Sequence, residues 1–308
     1  MTATLSSRRS TSAVAWFAPV PERRIEIVRT VTFGYAVVWL ILRARYVWDV
    51  SGLPARRFEP VGILDPLGSP PAGAVVMSLW ALTLAGAAAA AAGKAPRLSA
   101  TVGSIGMLVI ATLTSSFGQV FHTEHLLVLH LLILAASSLV DPAPAGGERS
   151  GWPLNLMMAV VVVAYVVAGV AKLRFGGTDW LTGDLLRNWV AVDNLRKLLL
   201  DDLHSPAGGW LAGTAWVWGP VAVVTLLVEL GAPVALLPGR LRLAWVAAAW
   251  AFHVGVVVLM AITFPYQLSG VAYLAFLDVE RIENRLRRRF SRPPLGRPAN
   301  LSPGASSA

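Results

Sequence analysis

Lysine is scarce in this chain: Lys94, Lys172 and Lys197 are the only three, and arginine fills every other basic position. Lys172 closes a long apolar run, where an amine that is desolvated or set beside another cation becomes neutral and can serve as a base. His253 sits inside another apolar run, and a neutral imidazole both accepts and donates a proton. His122, Glu124 and His125 open a third run, and the three-residue spacing of the two histidines puts them on one helical face. Glu229, His130, Tyr266 and Gln267 are further polar groups within apolar sequence. Ionisable groups are costly in such surroundings and turn towards the interior of a helix bundle. The chemistry open to this set is proton transfer in a polar cavity. Asp179 and Trp180 would belong to the segment that covers it.

Each group also has a plainer role. Lys172 at a helix end can snorkel to the lipid headgroups. His253 can hydrogen-bond across helices as a neutral ring. His122, Glu124 and His125 can form an interfacial turn, and no further carboxylate–histidine spacing completes a metal site. Glu229 stands one turn before Pro233 and can satisfy backbone freed by that proline.

The elements that position these residues follow from composition. Hydrophobic residues make up 56% of the 308, charged residues 14%, and the mean hydropathy is +0.62. So few charges cannot cover a soluble protein of this size, whereas a lipid-facing surface needs almost none. The formal net charge of +9 comes mostly from arginines between apolar runs, without the aromatic–basic platform of a nucleic-acid binder, so no nucleic-acid partner is expected. The absence of cysteine excludes disulfides and thiolate metal sites. The first apolar run is too long for a signal-peptide core and reads as a retained span.

Apolar runs long enough to cross about 30 Å of hydrocarbon fall near residues 27–48, 74–93, 98–117, 122–139, 154–173, 215–237, 243–260 and 262–277. The expectation is an all-α, multi-pass transmembrane bundle of eight spans, or seven if the short last run does not cross. Between spans five and six, Trp180, Leu181, Leu185, Leu186 and Trp189 recur at helical spacing with Asp184 and Arg187 opposite. They predict an amphipathic interfacial helix with tryptophan at the headgroups. Residues 1–24 read as a flexible cytoplasmic arm, 25–280 as the membrane domain, and 281–308 as a basic, disordered tail able to contact anionic lipid. Short basic turns at Lys94/Arg97 and Arg240/Arg242 and the arginine-rich tail place both termini in the cytoplasm, with the bilayer of the cell membrane as the surrounding phase.

The sequence Tyr165-Val166-Val167-Ala168-Gly169-Val170-Ala171-Lys172-Leu173, followed by Asp179-Trp180-Leu181-Thr182-Gly183, resembles a motif of the vitamin K-dependent γ-carboxylase and of the bacterial horizontally transferred transmembrane (HTTM) family that shares its membrane domain. Glu229-Leu230-Gly231-Ala232-Pro233, Trp250-Ala251-Phe252-His253 and the opening segment from Arg29 to Trp48 look like the same domain, so the resemblance covers roughly residues 20–280. It implies a carboxylase-like bundle and a reduced quinone cofactor of the vitamin K or menaquinone type, with Lys172 as the base that deprotonates it. Imidazole chemistry makes His253, or His122 and His125, the candidates to hand on its proton. Bringing an amine from about 10.4 to about 7 costs roughly 4 to 5 kcal/mol, within the reach of burial. The carboxylase has two lysines where this chain has Ala171-Lys172, and a lumenal domain that binds protein substrate where this chain has its basic tail. Quinone- or lipid-linked chemistry is therefore the expectation, and a non-enzymatic assembly partner, a small-molecule carrier or a transporter that keeps the fold is the alternative.

Overall fold

A computed structural model describes residues 16–118, 120, 122–140 and 147–290. Almost everything described is helical. The helices are α1 (Glu22–Leu42), α2 (Ala44–Ser51), α3 (Gly73–Ala91), α4 (Pro96–Ser115), α5 (His125–Val140), α6 (Trp152–Thr182), α7 (Asp184–Leu199), α8 (Pro206–Ala212), α9 (Trp218–Leu230), α10 (Arg240–Met260), α11 (Pro265–Leu268) and α12 (Val279–Phe290). The one sheet among the described residues is a short antiparallel pair, β1 (Pro19–Pro21) with β2 (Glu148–Ser150).

Five of these helices, α1, α3, α4, α6 and α10, are long and apolar enough to cross a membrane, and a sixth such unit is α8 with the stretch Ala215–Leu230, bent by 103°. Their outer surfaces carry large apolar side chains, among them Val38, Ile41, Val163, Val167, Leu227 and Val258. In α10 only 17% of the most apolar window is buried. Such a helix needs a non-aqueous surrounding, because water would oppose exposing that surface.

Small residues set the closest helix contacts. A Cβ on Gly86 would stand 2.9 Å from the backbone nitrogen of Gly103, and one on Gly106 would stand 2.0 Å from Thr83 Oγ1. The poly-alanine end of α3 therefore lies backbone to backbone against α4, as small residues allow in membranes. Aromatic rings fill the centre, with Tyr266, Tyr273, Phe33 and Trp218 among the largest fully buried side chains.

Several boundaries differ from the sequence reading. The first run breaks at Arg43, so α1 ends at Leu42 and α2 turns away. Helix α5 has 16 residues, fewer than the expected span. The stripe from Trp180 to Trp189 is divided at Gly183, whose φ of 84° ends α6 and starts α7. A Cβ at Gly183 would lie 2.1 Å from the Trp218 carbonyl carbon, so only glycine permits both this turn and this contact. The last run, 262–277, is no continuous helix. It consists of α11 and a 3-10 turn, Val271–Phe276, because Pro265 and Gly270 punctuate it. Its irregular backbone is buried in protein: Tyr266, Ala272, Tyr273, Ala275 and Phe276 are all buried. The arm and tail boundaries move as well. Helix α1 already begins at Glu22, and the segment after 281 is helical to Phe290; residues 1–15 and 291–308 lie outside the described residues.

Candidate functional site

Helix α6 carries the central groups. Tyr165, Gly169 and Lys172 follow one another at spacings of four and three, which places them on one face. A Cβ on Gly169 would meet Leu230 Cδ2 at 2.8 Å and Glu229 Cβ at 3.1 Å, so the glycine lets α9 approach α6 closely. That approach sets Glu229 beside Lys172: Lys172 Nζ donates to Glu229 Oε1 at 2.5 Å. The Glu229 side chain is only 3% exposed and that of Lys172 23%. The lysine also stands 5.3 Å from the centre of the Trp180 ring, which packs against Ala222 and Leu226 of α9.

Lys172 stands five residues before Gly177, whose non-helical φ of 53° and ψ of −136° break α6 into two pieces, the second running to Thr182. Its amine is held by the Glu229 carboxylate. Glu229, in turn, uses its side chain on Lys172.

Two helical turns back along α6, the Tyr165 hydroxyl lies 2.8 Å from His253 Nε2 and 2.6 Å from the Tyr273 hydroxyl. This chain joins α6, α10 and the 3-10 turn Val271–Phe276. Trp245 stands edge-on to Tyr165 with ring centres 5.0 Å apart, and Phe264 lies 4.9 Å from His253. Four buried polar atoms here have no hydrogen-bond partner among the described residues: Glu229 Oε2, His253 Nδ1, Trp180 Nε1 and Gln267 Oε1. A buried acceptor left this way costs stability unless a ligand or water meets it.

The other expected site residues are spread out. His122 is exposed and stacks on Phe264 with centres 5.5 Å apart. His125 is exposed. Glu124 binds Thr123 Oγ1 and approaches Arg43 at 3.9 Å. Asp179 is exposed beyond the kink. No group of three metal-binding side chains occurs among the described residues. Tyr165 and Tyr273 were not singled out from sequence. Tyr165 had a signal, its place seven residues before Lys172 on the same face; Tyr273 had none. His130 makes a second buried pair, its Nδ1 2.7 Å from the Tyr266 hydroxyl.

The segment 184–212 is fastened over the end of α10. Asn194 Nδ2 donates to Leu259 O at 2.9 Å, Lys197 Nζ to Met260 O at 2.5 Å, and Ser205 Oγ to Val258 O at 2.5 Å. These are the carbonyls that a helix C-terminus leaves unsatisfied. Trp189 on this segment is exposed and Trp180 is buried, so the two tryptophans do not share one interfacial face. An apolar groove of ≈ 380 Å³ is lined by Leu181 of α6, by Val223, Leu226, Leu227 and Leu230 of α9 and by Gly231; neither Lys172 nor Glu229 lines it.

Fold and site together define a helical protein with apolar helices long enough to span a membrane and a lysine–glutamate pair held between two of them. Comparison with protein-family models, with curated proteins and with solved structures finds no match to this chain.

Proposed function

We propose that this chain is an HTTM-type integral membrane protein of the cell membrane, performing quinone-linked acid–base chemistry at Lys172 and Glu229. The observation that carries the reading is the 2.5 Å contact of these two groups between apolar helices. Moving the proton from Lys172 Nζ to Glu229 Oε1 turns an ion pair into a neutral pair with no change in net charge. A low-dielectric interior therefore does not oppose it as it opposes creating a lone charge. Lys172 gains a neutral amine in this way without exporting a proton to water.

The donor set fits a reduced quinone. Its hydroxyls need acceptors, and Glu229 Oε2 and His253 Nδ1 are buried and free of partners among the described residues. Its isoprenoid chain needs an apolar channel, which the groove between α6 and α9 supplies. A bound reduced quinone would supply the acidic hydroxyl and the electrons. The protein's own part is to hold Lys172 ready through Glu229 and to orient His253 through Tyr165.

Eight crossings belong to the same reading. Arg24 pairs with Glu280 at 2.7 Å, so the start of α1 and the start of α12 share one end of the bundle. An even number of passes would bring the chain back to that end, as eight does and as the up to six units long and apolar enough to cross also do. That end also carries Lys94, Arg97, Arg240, Arg242 and the arginines of α12, and the positive-inside tendency makes it cytoplasmic.

A second reading has its own support. A lysine satisfied by a carboxylate and an aromatic face is also what a structural pair looks like, as in an assembly partner or carrier without chemistry. Mass spectrometry of lipids retained by the purified protein, combined with Lys172→Arg complementation of the deletion phenotype, separates the two. Retained isoprenoid quinone and failure of Lys172→Arg are expected for the base, since guanidinium stays protonated. Full rescue by Lys172→Arg with no retained quinone would leave only the structural role.

A further inference from the structure

Helix α12 has two unlike flanks. Val279, Ile282, Leu286 and Phe290 recur at spacings of three and four and make one apolar stripe, while Arg285, Arg288 and Arg289 share another face. Its acidic residues are used up. Glu280 binds Arg24 bidentately at 2.8 and 2.7 Å, and Glu283 binds Arg23 at 2.6 Å and Arg287 at 2.8 Å. Arg285, Arg288 and Arg289 are exposed and make no ion pair among the described residues. Of the stretches outside the described residues, 1–15 and 291–308 contain no Asp or Glu and add Arg8, Arg9, Arg292 and Arg297, and 141–146 contains the one carboxylate, Asp141.

Between this helix and the bundle lies an open groove of ≈ 550 Å³, lined by Ile27, Leu274, Leu277, Val279, Ile282, Leu286 and Phe290, with Glu283 and Arg287, paired to each other at 2.8 Å, as its charged lining. Ile282, Leu286 and Phe290 remain 46%, 49% and 82% exposed. Arg285, Arg288 and Arg289, without an ion pair among the described residues, stand on the helix that walls this groove although they do not line it; guanidiniums next to an apolar groove match a molecule with a phosphate at one end and a hydrocarbon chain at the other. Guanidinium binds phosphate oxygens in forked pairs, and arginines near an anionic leaflet add attraction one by one.

We propose that α12 and α1 form a binding site for an anionic phospholipid of the adjoining leaflet. Arg285, Arg288 and Arg289 hold its phosphate, and one acyl chain lies in the Ile27–Leu277–Leu286 groove. The inference rests on membrane embedding and is independent of any chemistry at Lys172.

The test uses the full chain in phosphatidylcholine nanodiscs carrying a minor share of spin-labelled phosphatidylglycerol or spin-labelled phosphatidylcholine. The wild type should immobilise the anionic probe in preference to the neutral one, at physiological salt. Each arginine replaced by glutamine should lower that preference about fivefold, and the triple variant about a hundredfold. Leu286→Asn should weaken retention of the anionic probe with the arginines intact. Arg56→Gln/Arg57→Gln, at the other end of the bundle, should leave the preference unchanged. The variants should keep the wild-type thermal midpoint, because the substituted side chains are exposed and the Arg23 and Arg24 pairs remain. An undiminished preference in the triple variant would overturn the site. So would a preference seen only at low salt, or cross-linking that shows a second copy of the chain seated on this face.

Discussion

Glu229, with a side chain 3% exposed, has one polar partner among the described residues, Lys172. Removing the lysine leaves a carboxylate buried and uncompensated, a situation that costs about 3–5 kcal/mol in a fully buried pair. Lys172 is itself 23% exposed, which places Lys172→Met near the lower end, about 3 kcal/mol. Replacing both, as Lys172→Met/Glu229→Leu, exchanges a charged pair for packed hydrocarbon and should recover most of that loss. Thermal unfolding in detergent of the two singles and the double measures this. If the double falls by the sum of the singles, the two groups are not coupled. Both residues were conspicuous in sequence as ionisable groups in apolar runs. Their pairing was not legible, because 57 residues separate them and no periodicity links a position on one helix to a position on another. The same holds for Tyr165 and Tyr273, 108 residues apart. A tyrosine in an apolar run is ordinary until its hydroxyl partner is known. His122 and His125 illustrate the converse. Their spacing put them on a helical face, but α5 starts only at His125, so the face does not exist where the argument needed it.

Single glycines decide how neighbouring helices meet. Gly169 brings α9 against α6, and a larger side chain there must separate them. Gly169→Val should destabilise the protein by about 1–3 kcal/mol, as overpacking does, and should loosen the Lys172–Glu229 contact as well. A thermal midpoint equal to that of wild type would mean that α6 and α9 do not pack as described. The segment over α10 depends on Asn194, whose Nδ2 donates to Leu259 O at 2.9 Å and whose Oδ1 accepts from Ser205 N–H at 2.6 Å. Asn194→Leu strands both backbone groups, each worth about 1–3 kcal/mol when left unpaired. Amide exchange across 184–212 should then speed up while α3 and α4 stay protected; uniform protection would show that the segment is held by other contacts. At this scale the sequence was readable where an apolar run is long and unbroken, as in α3, α4 and α10. It misled where a periodic stripe crossed Gly183, because periodicity carries no information about φ. It misled again in 262–277, where apolar composition outweighed Pro265 and Gly270 in the reading although they govern the backbone.

The two ends of the described chain are tied together, and this sets the behaviour of the whole. Arg23 and Arg287 hold the Glu283 carboxyl down to about 2, and the bond from Arg24 lowers that of Glu280. Carboxyls depressed in the folded state add stability that is fully present above their ordinary value near 4.5 and is lost as pH falls through the folded one. The link between α1 and α12 should therefore hold unchanged at neutral pH and weaken progressively from about pH 4.5 towards pH 2, which a spin-label distance between Thr30→Cys and Asn284→Cys would follow; a distance that lengthens already between pH 7 and 5 would contradict it. The same link fixes the topology prediction. Because Arg24 touches Glu280, α1 starts and α12 starts at one end, and every pass away from that end needs a return. The native chain has no cysteine, so each introduced one reports alone. Ser69, Asp202 and Asn284 are all exposed. Ser69 follows α1 and α2 at the far end, and Asp202 lies in the segment fastened to the end of α10 at Met260. In intact cells an impermeant thiol reagent should modify Ser69→Cys and Asp202→Cys, and should reach Asn284→Cys only after the membrane is opened. Modification of Asn284→Cys in intact cells would reverse the orientation. Modification of Ser69→Cys and Asn284→Cys together from outside would mean that the passes between them are even in number, which the Arg24–Glu280 contact does not permit.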